Sequence, residues 1–146
     1  MTSRRQKSSG DFENLHVYLL AEKLADDIWK AVSDWDGFAK ATVGRQIVRA
    51  GDSVGANIAE GLGRGTFLDN RRFVRTARGS LNETKHWLRC AYRRHLLPPA
   101  VVNRVKPVID ELGPRLNAYL NSIGRIPGAN TAPNTRASPL QETNDQ

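Results

Sequence analysis

Four stretches of this chain repeat apolar residues in three- and four-residue steps, and no stretch alternates convincingly with the period of two that a half-buried strand needs. In the first, from about Glu13 to Trp35, Val17, Leu20, Ala21, Leu24, Ile28, Val32 and Trp35 share one helical face. Asp36-Gly37 is a turn signal that ends it. The second, about Ala39 to Glu60, carries Val43, Ile47, Val54 and Ile58, with Gly44, Gly51, Gly55 and Ala59 beside them. Each interior glycine costs up to about 1 kcal/mol of helix propensity. Their clustering predicts that another helix backbone comes close at that face. The third, about Asp69 to His95, has Val74, Ala77, Leu81, Leu88 and Ala91, flanked by Phe73, Trp87 and Tyr92. The fourth begins near Pro99 and carries Val102, Val105, Ile109, Leu112, Leu116, Leu120 and Ile123, with Gly124 as a natural stop. Pro107 and Pro114, seven residues apart, fall on its polar side, where they either bend the helix or break it near Lys106. The expected fold is all-α: an antiparallel up-down four-helix bundle. The bundle domain spans 11–124, between polar, aperiodic tails at 1–10 and 125–146 that are expected to be disordered.

Charge divides sharply along the chain. Residues 11–36 carry seven acids against Lys23 and Lys30, net −5, whereas residues 64–94 carry nine bases against Asp69 and Glu83, net +7. At about 100° per residue, Arg71, Arg75, Arg78, Lys85, Arg89 and Arg93 fall in one narrow strip, well away from the buried stripe of the third helix. A row of guanidinium groups suits phosphates, because each offers a planar fork of donors. Arg64 stands at the mouth of that helix, and Arg45 and Arg49 are secondary candidates on the second. The bland alternative is a solvated face whose cations meet acids on a neighbouring helix. In an up-down bundle the first and third helices are diagonal, so pairing between them would have to cross a subunit boundary.

The whole chain of 146 residues has a net charge of +7, which makes a polyanion the first partner to consider. The lone cysteine, Cys90, fits a reducing compartment. No secretory leader or membrane-length apolar run is visible, so the expected location is the cytoplasm.

Catalytic, metal and nucleotide sites find little support. Glu83-Thr84-Lys85-His86 has the Glu-x-x-His spacing of di-iron bundles, which need two copies and two further glutamates. Cys90 has basic neighbours that can lower a thiol pKa, but no histidine spacing makes a nucleophile–base pair evident, and it is taken as structural. Glu60 and Glu83 could form a carboxylate pair for proton transfer. The favoured reading has each accept hydrogen bonds from an Arg or a helix end. Asn57 and Ser80 sit at the edges of buried stripes, where polar groups need partners. The alternate glycines Gly61, Gly63 and Gly65 match no phosphate-cradling pattern. Gly61 is expected to end the second helix, and Thr66 or Asp69 to cap the third. Tyr18, Trp29 and Trp87 are core candidates, with a second buried face at a subunit interface as the alternative. No cofactor, no metal and no enzymatic activity are expected.

Residues 53–88, SVGANIAEGLGRGTFLDNRRFVRTARGSLNETKHWL, resemble the four-helix bundle family of ribosomal-RNA intervening-sequence proteins. The family pattern is a small-residue helix ending in Asn-Ile-Ala-Glu-Gly, then Gly-Arg, and later Gly-Ser-Leu with a glutamate two residues on. Here these are Asn57 to Gly61, Gly63-Arg64, Gly79-Ser80-Leu81 and Glu83. Gly55 is a departure, since the family usually has a proline and a bend there. The resemblance covers roughly residues 12–124. It implies a bundle that assembles into a ring, commonly a homopentamer. A related branch comprises the accessory variability determinant proteins of diversity-generating retroelements, which are basic and pentameric and bind nucleic acid and a reverse transcriptase. The strong positive charge and HWLRCAYRR, residues 86–94, look closer to that branch. The resulting expectation is a non-enzymatic RNA- or DNA-binding accessory protein working as a basic ring-shaped oligomer, with a reverse transcriptase as partner. The alternative is an assembly scaffold with no direct nucleic-acid role.

Overall fold

The computed structural model describes residues 9–125. Four helical rods cover them: α1 (Ser9–Ser33), α2, α3 (Phe67–Arg93) and α4 (Pro99–Ser122). The α2 rod opens with the short turn Gly37–Ala39, passes through a π-helical stretch at Lys40–Gly44 and continues as Arg45–Gly63. There is no strand among the described residues. Links at 34–36, 64–66 and 94–98 leave room only for antiparallel neighbours. α1 packs on α2 and α4, and α3 packs on α2 and α4. α1 and α3 make no backbone approach within 8 Å, and neither do α2 and α4. The bundle is therefore up-down-up-down, with α1 diagonal to α3.

The core follows the periodic stripes. Val17, Ala21, Leu24 and Ile28 of α1 meet Ile47, Val54 and Ile58 of α2, Val74, Ala77 and Leu81 of α3, and Leu112 and Leu116 of α4, all essentially inaccessible. α4 departs from the expected stripe. Val108 and Tyr119 are buried, whereas Val102 and Ile109 are only half-buried, because α3 and α4 are the least tightly packed of the neighbouring pairs. Trp29 and Tyr92 are not core residues either, at 63% and 62% exposure. Pro107 and Pro114 are exposed and do not break α4; Asn103 and Asp110, whose carbonyls lose their helical donors, are exposed as well.

The glycines of α2 do what their clustering predicts, and the helix they admit is α1. A Cβ on Gly51 would stand 3.2 Å from Ile28 Cδ1 and 3.8 Å from the Ala25 Cα, and one on Gly44 would stand 2.8 Å from Val32 Cγ1. Gly55 faces Tyr18 and Ala21 at ordinary contact distance, and α2 stays helical through it. Gly44 closes the π-helical turn. Its missing side chain lets that widened backbone lie against Val32 and Trp35.

Helix ends are set by specific residues. Asp36 caps α2, its Oδ1 accepting from Ala39 N at 2.9 Å. Thr66 caps α3, its hydroxyl accepting from Asp69 N at 3.2 Å. α3 ends with His95 in the left-handed region (φ 60°), while Leu96 N donates to Ala91 O at 2.9 Å. α1 starts at Ser9, earlier than its periodicity suggests, so the expected N-terminal tail overlaps the described helix at Ser9 and Gly10. The remainder of that tail and residues 126–146 lie outside the described residues.

Gly61 does not end α2. It is buried one turn before the end, and the left-handed residue of the corner is Gly65 (φ 81°). A Cβ on Gly61 would lie 2.5 Å from Asn70 Oδ1, 3.1 Å from Phe73 Cβ and 3.2 Å from the Asn70 carbonyl oxygen. Gly79 is a useful contrast: it lies mid-helix in α3, and a Cβ there would meet nothing within 4 Å. Gly61→Ala is expected to destabilise the fold by about 1–3 kcal/mol through overpacking. Gly79→Ala is expected to stabilise it by roughly 0.5–1 kcal/mol through helix propensity. Urea melts of the two variants should move in opposite directions.

Candidate nucleic-acid interface

α3 carries its cations on the face turned from the core. Arg75, Arg78, Lys85, Arg89 and Arg93 are exposed and Arg71 is half-buried. Among the described residues, none of these six lies within 4.0 Å of a carboxylate; the ion pairs sit elsewhere. The diagonal placement of α1 is the reason, because its acids are on the far side of the bundle from this strip. Neutral contacts hold some of the cations in place. Arg71 Nη1 donates to the Ile123 carbonyl at 3.4 Å, tying α3 to the end of α4. Arg78 Nη1 donates to Asn117 Oδ1 at 3.3 Å. Arg93 Nη2 lies 4.0 Å from Cys90 Sγ.

The other cations divide by position. Arg64 belongs to the corner: its Nη2 is 3.1 Å from Glu60 Oε1, and its guanidinium lies 4.8 Å from the centre of the Phe73 ring. Arg72, beside the strip, pairs with Asp69 at 3.7 Å. Arg45 and Arg49 are exposed on α2. Because Gly61 meets Asn70 and Phe73 in an antiparallel pair, they stand level with the Glu83–Trp87 turn of α3.

The acids form their own surface. Glu22 and Asp26 are exposed on α1, Asp34 is exposed in the link that follows it, and Asp52 on α2 comes near Asp26. Burial, and then the Asp26 charge, raise the Asp52 carboxyl above its ordinary range. At the α1–α4 seam, His16 Nε2 and Glu111 Oε1 are 3.0 Å apart, and that bond, aided by Arg115, holds Glu111 below the usual carboxylate range. The molecule thus has a basic strip along α3 and exposed acids on α1, with Asp52 of α2 beside them.

Residues 13–118 match the family model described as "23S rRNA-intervening sequence protein". The chain belongs to the 23S rRNA-intervening sequence protein family. A similar solved structure is a protein of unknown function from the S23 ribosomal protein family of Bacteroides thetaiotaomicron. It is 21% identical, with a TM-score of 0.67 over 75% of this chain and 99% of that one, and supports the fold alone. No curated protein matches the sequence.

Asn57, Glu60, Ser80 and Glu83, the polar residues of the family motif, make their hydrogen bonds and ion pairs within their own helices. The Asn57 amide donates to the Ser53 carbonyl at 2.7 Å within α2. Glu60 pairs with Arg64, the C-cap of the same helix, and Glu83 accepts from Trp87 Nε1 at 3.4 Å. The Ser80 carbonyl accepts the hydroxyl of fully buried Thr84 at 2.7 Å. Glu60 and Glu83 do not form a carboxylate pair. Glu60 sits at the Asn70–Phe73 level of α3, about 15 Å from Glu83 at 1.5 Å per residue.

Two groupings were missed in the sequence. His86 Nε2 lies 3.7 Å from Cys90 Sγ, a contact that the four-residue helical spacing makes available. Cys90 is 6% exposed, so the pair is packed rather than presented. Tyr119, buried at 3%, accepts at its hydroxyl from Asn14 Nδ2 (2.9 Å) and Asn70 Nδ2 (3.3 Å), joining α1, α3 and α4 beside Gly61. No local signal in the sequence carries that long-range knot.

The acidic side gives a pH prediction. A raised folded-state pKa means that ionised Asp52 is disfavoured on folding, so its favourable contribution is present at low pH and lost as pH rises through the raised value. Asp52→Asn is expected to stabilise the protein at pH 7 by a few tenths of a kcal/mol, the small size reflecting solvent screening. The gain should fade as pH is lowered through the raised value toward 3.8 and be absent below it, in paired thermal melts.

Proposed function

We propose that this protein is a non-enzymatic, nucleic-acid-binding accessory protein that works as a ring-shaped oligomer. The observation that carries this reading is the row of cations on α3 that no carboxylate among the described residues neutralises. A row of like charges at that density attracts polyanions, and phosphate is what a fork of guanidinium donors fits best. Candidates for phosphate contact run from Arg64, Arg71, Arg75 and Arg78 at one end of the strip to Lys85, Arg89 and Arg93 at the other, with Arg45 and Arg49 alongside. Contacts of this kind read the backbone and not the base sequence. The resemblance to the retroelement accessory branch supplies a reverse transcriptase as protein partner and a pentamer as the expected ring. The cytoplasm suits a lone thiol that stays reduced. No described helix is long and apolar enough to cross a membrane.

Salt titration tests the reading with a labelled single-stranded RNA. Engagement of three to four phosphates predicts a loss of roughly 20- to 50-fold in affinity between 50 and 200 mM salt. Arg75→Glu with Arg78→Glu should abolish binding while light scattering shows the assembly unchanged. Absence of binding to RNA and DNA at low salt would leave the cations to assembly alone and favour the scaffold reading.

A further inference from the structure

α3 and α4, the least tightly packed pair, leave an open groove of about 380 Å³ between them. Its floor is apolar: Leu88 and Tyr92 from α3, Val102, Val105 and Ile109 from α4. Its rim carries Lys85 and Arg89 on one bank and Lys106, paired with Asp110 at 2.9 Å, on the other. Lys85 reaches across toward α4, its Nζ 3.7 Å from where a Gly113 Cβ would stand. This groove explains why Val102 and Ile109, periodic with the core of α4, are only half-buried.

The same chain carries the complementary shape. On α1, Leu15, Leu19, Glu22, Asp26 and Trp29 fall within an arc of about 80° at 100° per residue. That arc lies opposite the core stripe of Val17, Leu24 and Ile28. Leu15, Leu19 and Trp29 are 46%, 53% and 63% exposed. Glu22 and Asp26, set between them, make no ion pair among the described residues, and neither do Lys85 and Arg89. A helix with apolar residues on both faces is a helix covered on both faces. An apolar ridge broken by two acids matches an apolar groove edged by cations.

We propose that the outer ridge of α1 in one subunit seats in the α3–α4 groove of the next. This rests on the oligomeric reading above and sharpens it. Ridge and groove are different surfaces of one chain, so the contact is heterologous and runs head to tail until a ring closes it. Glu22 and Asp26 then meet Lys85 and Arg89 across the boundary, which is where the diagonal arrangement denies them partners within a subunit. The basic strip divides accordingly: Lys85 and Arg89 belong to the joint, and Arg71, Arg75 and Arg78 remain for phosphate.

Charge exchange tests the pairing. The full chain and three variants are compared by light scattering, with circular dichroism to confirm helix content: Lys85→Glu/Arg89→Glu, Glu22→Lys/Asp26→Lys, and all four changes together. The native chain should show a multiple of 16.2 kDa, each double variant the 16.2 kDa monomer, and the fourfold variant the native mass again. A native chain that is monomeric at tens of micromolar overturns both the ring and this joint. A native oligomer whose mass survives both double reversals, or is not restored by the fourfold exchange, overturns the joint and leaves the ring standing.

Discussion

Close approach along the small-residue face of α2 is the constraint on which the rest of the bundle depends. Gly51 admits Ile28 and the Ala25 backbone, and Gly44 admits Val32 against a widened helical turn. At the far end, Gly61 admits Asn70 and Phe73 from the other neighbour. One helix is thereby held against both α1 and α3, on two of its sides. With three-residue links on either side, this placement makes α1 and α3 diagonal and leaves α4 to close the square.

The diagonal placement has an electrostatic consequence. Net −5 and net +7 segments that are close in sequence are kept apart in space. Had α1 packed against α3, their charges would have paired within the fold, as Arg115 pairs with Glu111 and Glu13 along the α1–α4 seam. Instead the molecule carries a basic strip on α3 and exposed acids on α1, both open to solvent. Exposed ion pairs are worth little to stability individually. A whole strip of unpaired cations matters more for association, where complementary fields speed encounter and reject wrong partners.

The fold was legible in the sequence where one periodicity decided it. Four stripes, the Asp36-Gly37 turn, the Thr66 cap and the reason for the α2 glycines all follow from residues within a few positions of one another. What escaped depends on inter-helix distances. Val102 and Ile109 share the core period of α4, and only the looser α3–α4 packing turns them toward a groove. Trp29 reads as core fringe because an aromatic near a stripe usually is, and its 63% exposure is a tertiary fact. The strip on α3 was legible as geometry. Its freedom from carboxylates was not, because that depends on which helix stands opposite.

The corner at residues 57–67 shows how the family motif acts in this fold. Its glycines suggest a loop that takes a ligand, but Gly61 is buried against α3 and Glu60 and Arg64 satisfy each other. Beside Gly61, the Tyr119 hydroxyl gathers the amides of Asn14 and Asn70, so polar groups from three helices meet at one buried point. Asn70 Oδ1 has no partner there. Turning the Asn70 amide over would let the Tyr119 hydroxyl donate to that oxygen while still accepting from Asn14, and amide orientation is set by such networks. A buried polar cluster has few alternative arrangements, because any slip of one helix strands its partners. Gly61 leaves the space in which Asn70 can join that cluster. The motif thus acts on register: it fixes where α3 begins relative to α1 and α4, and with it the height of the basic strip on the bundle.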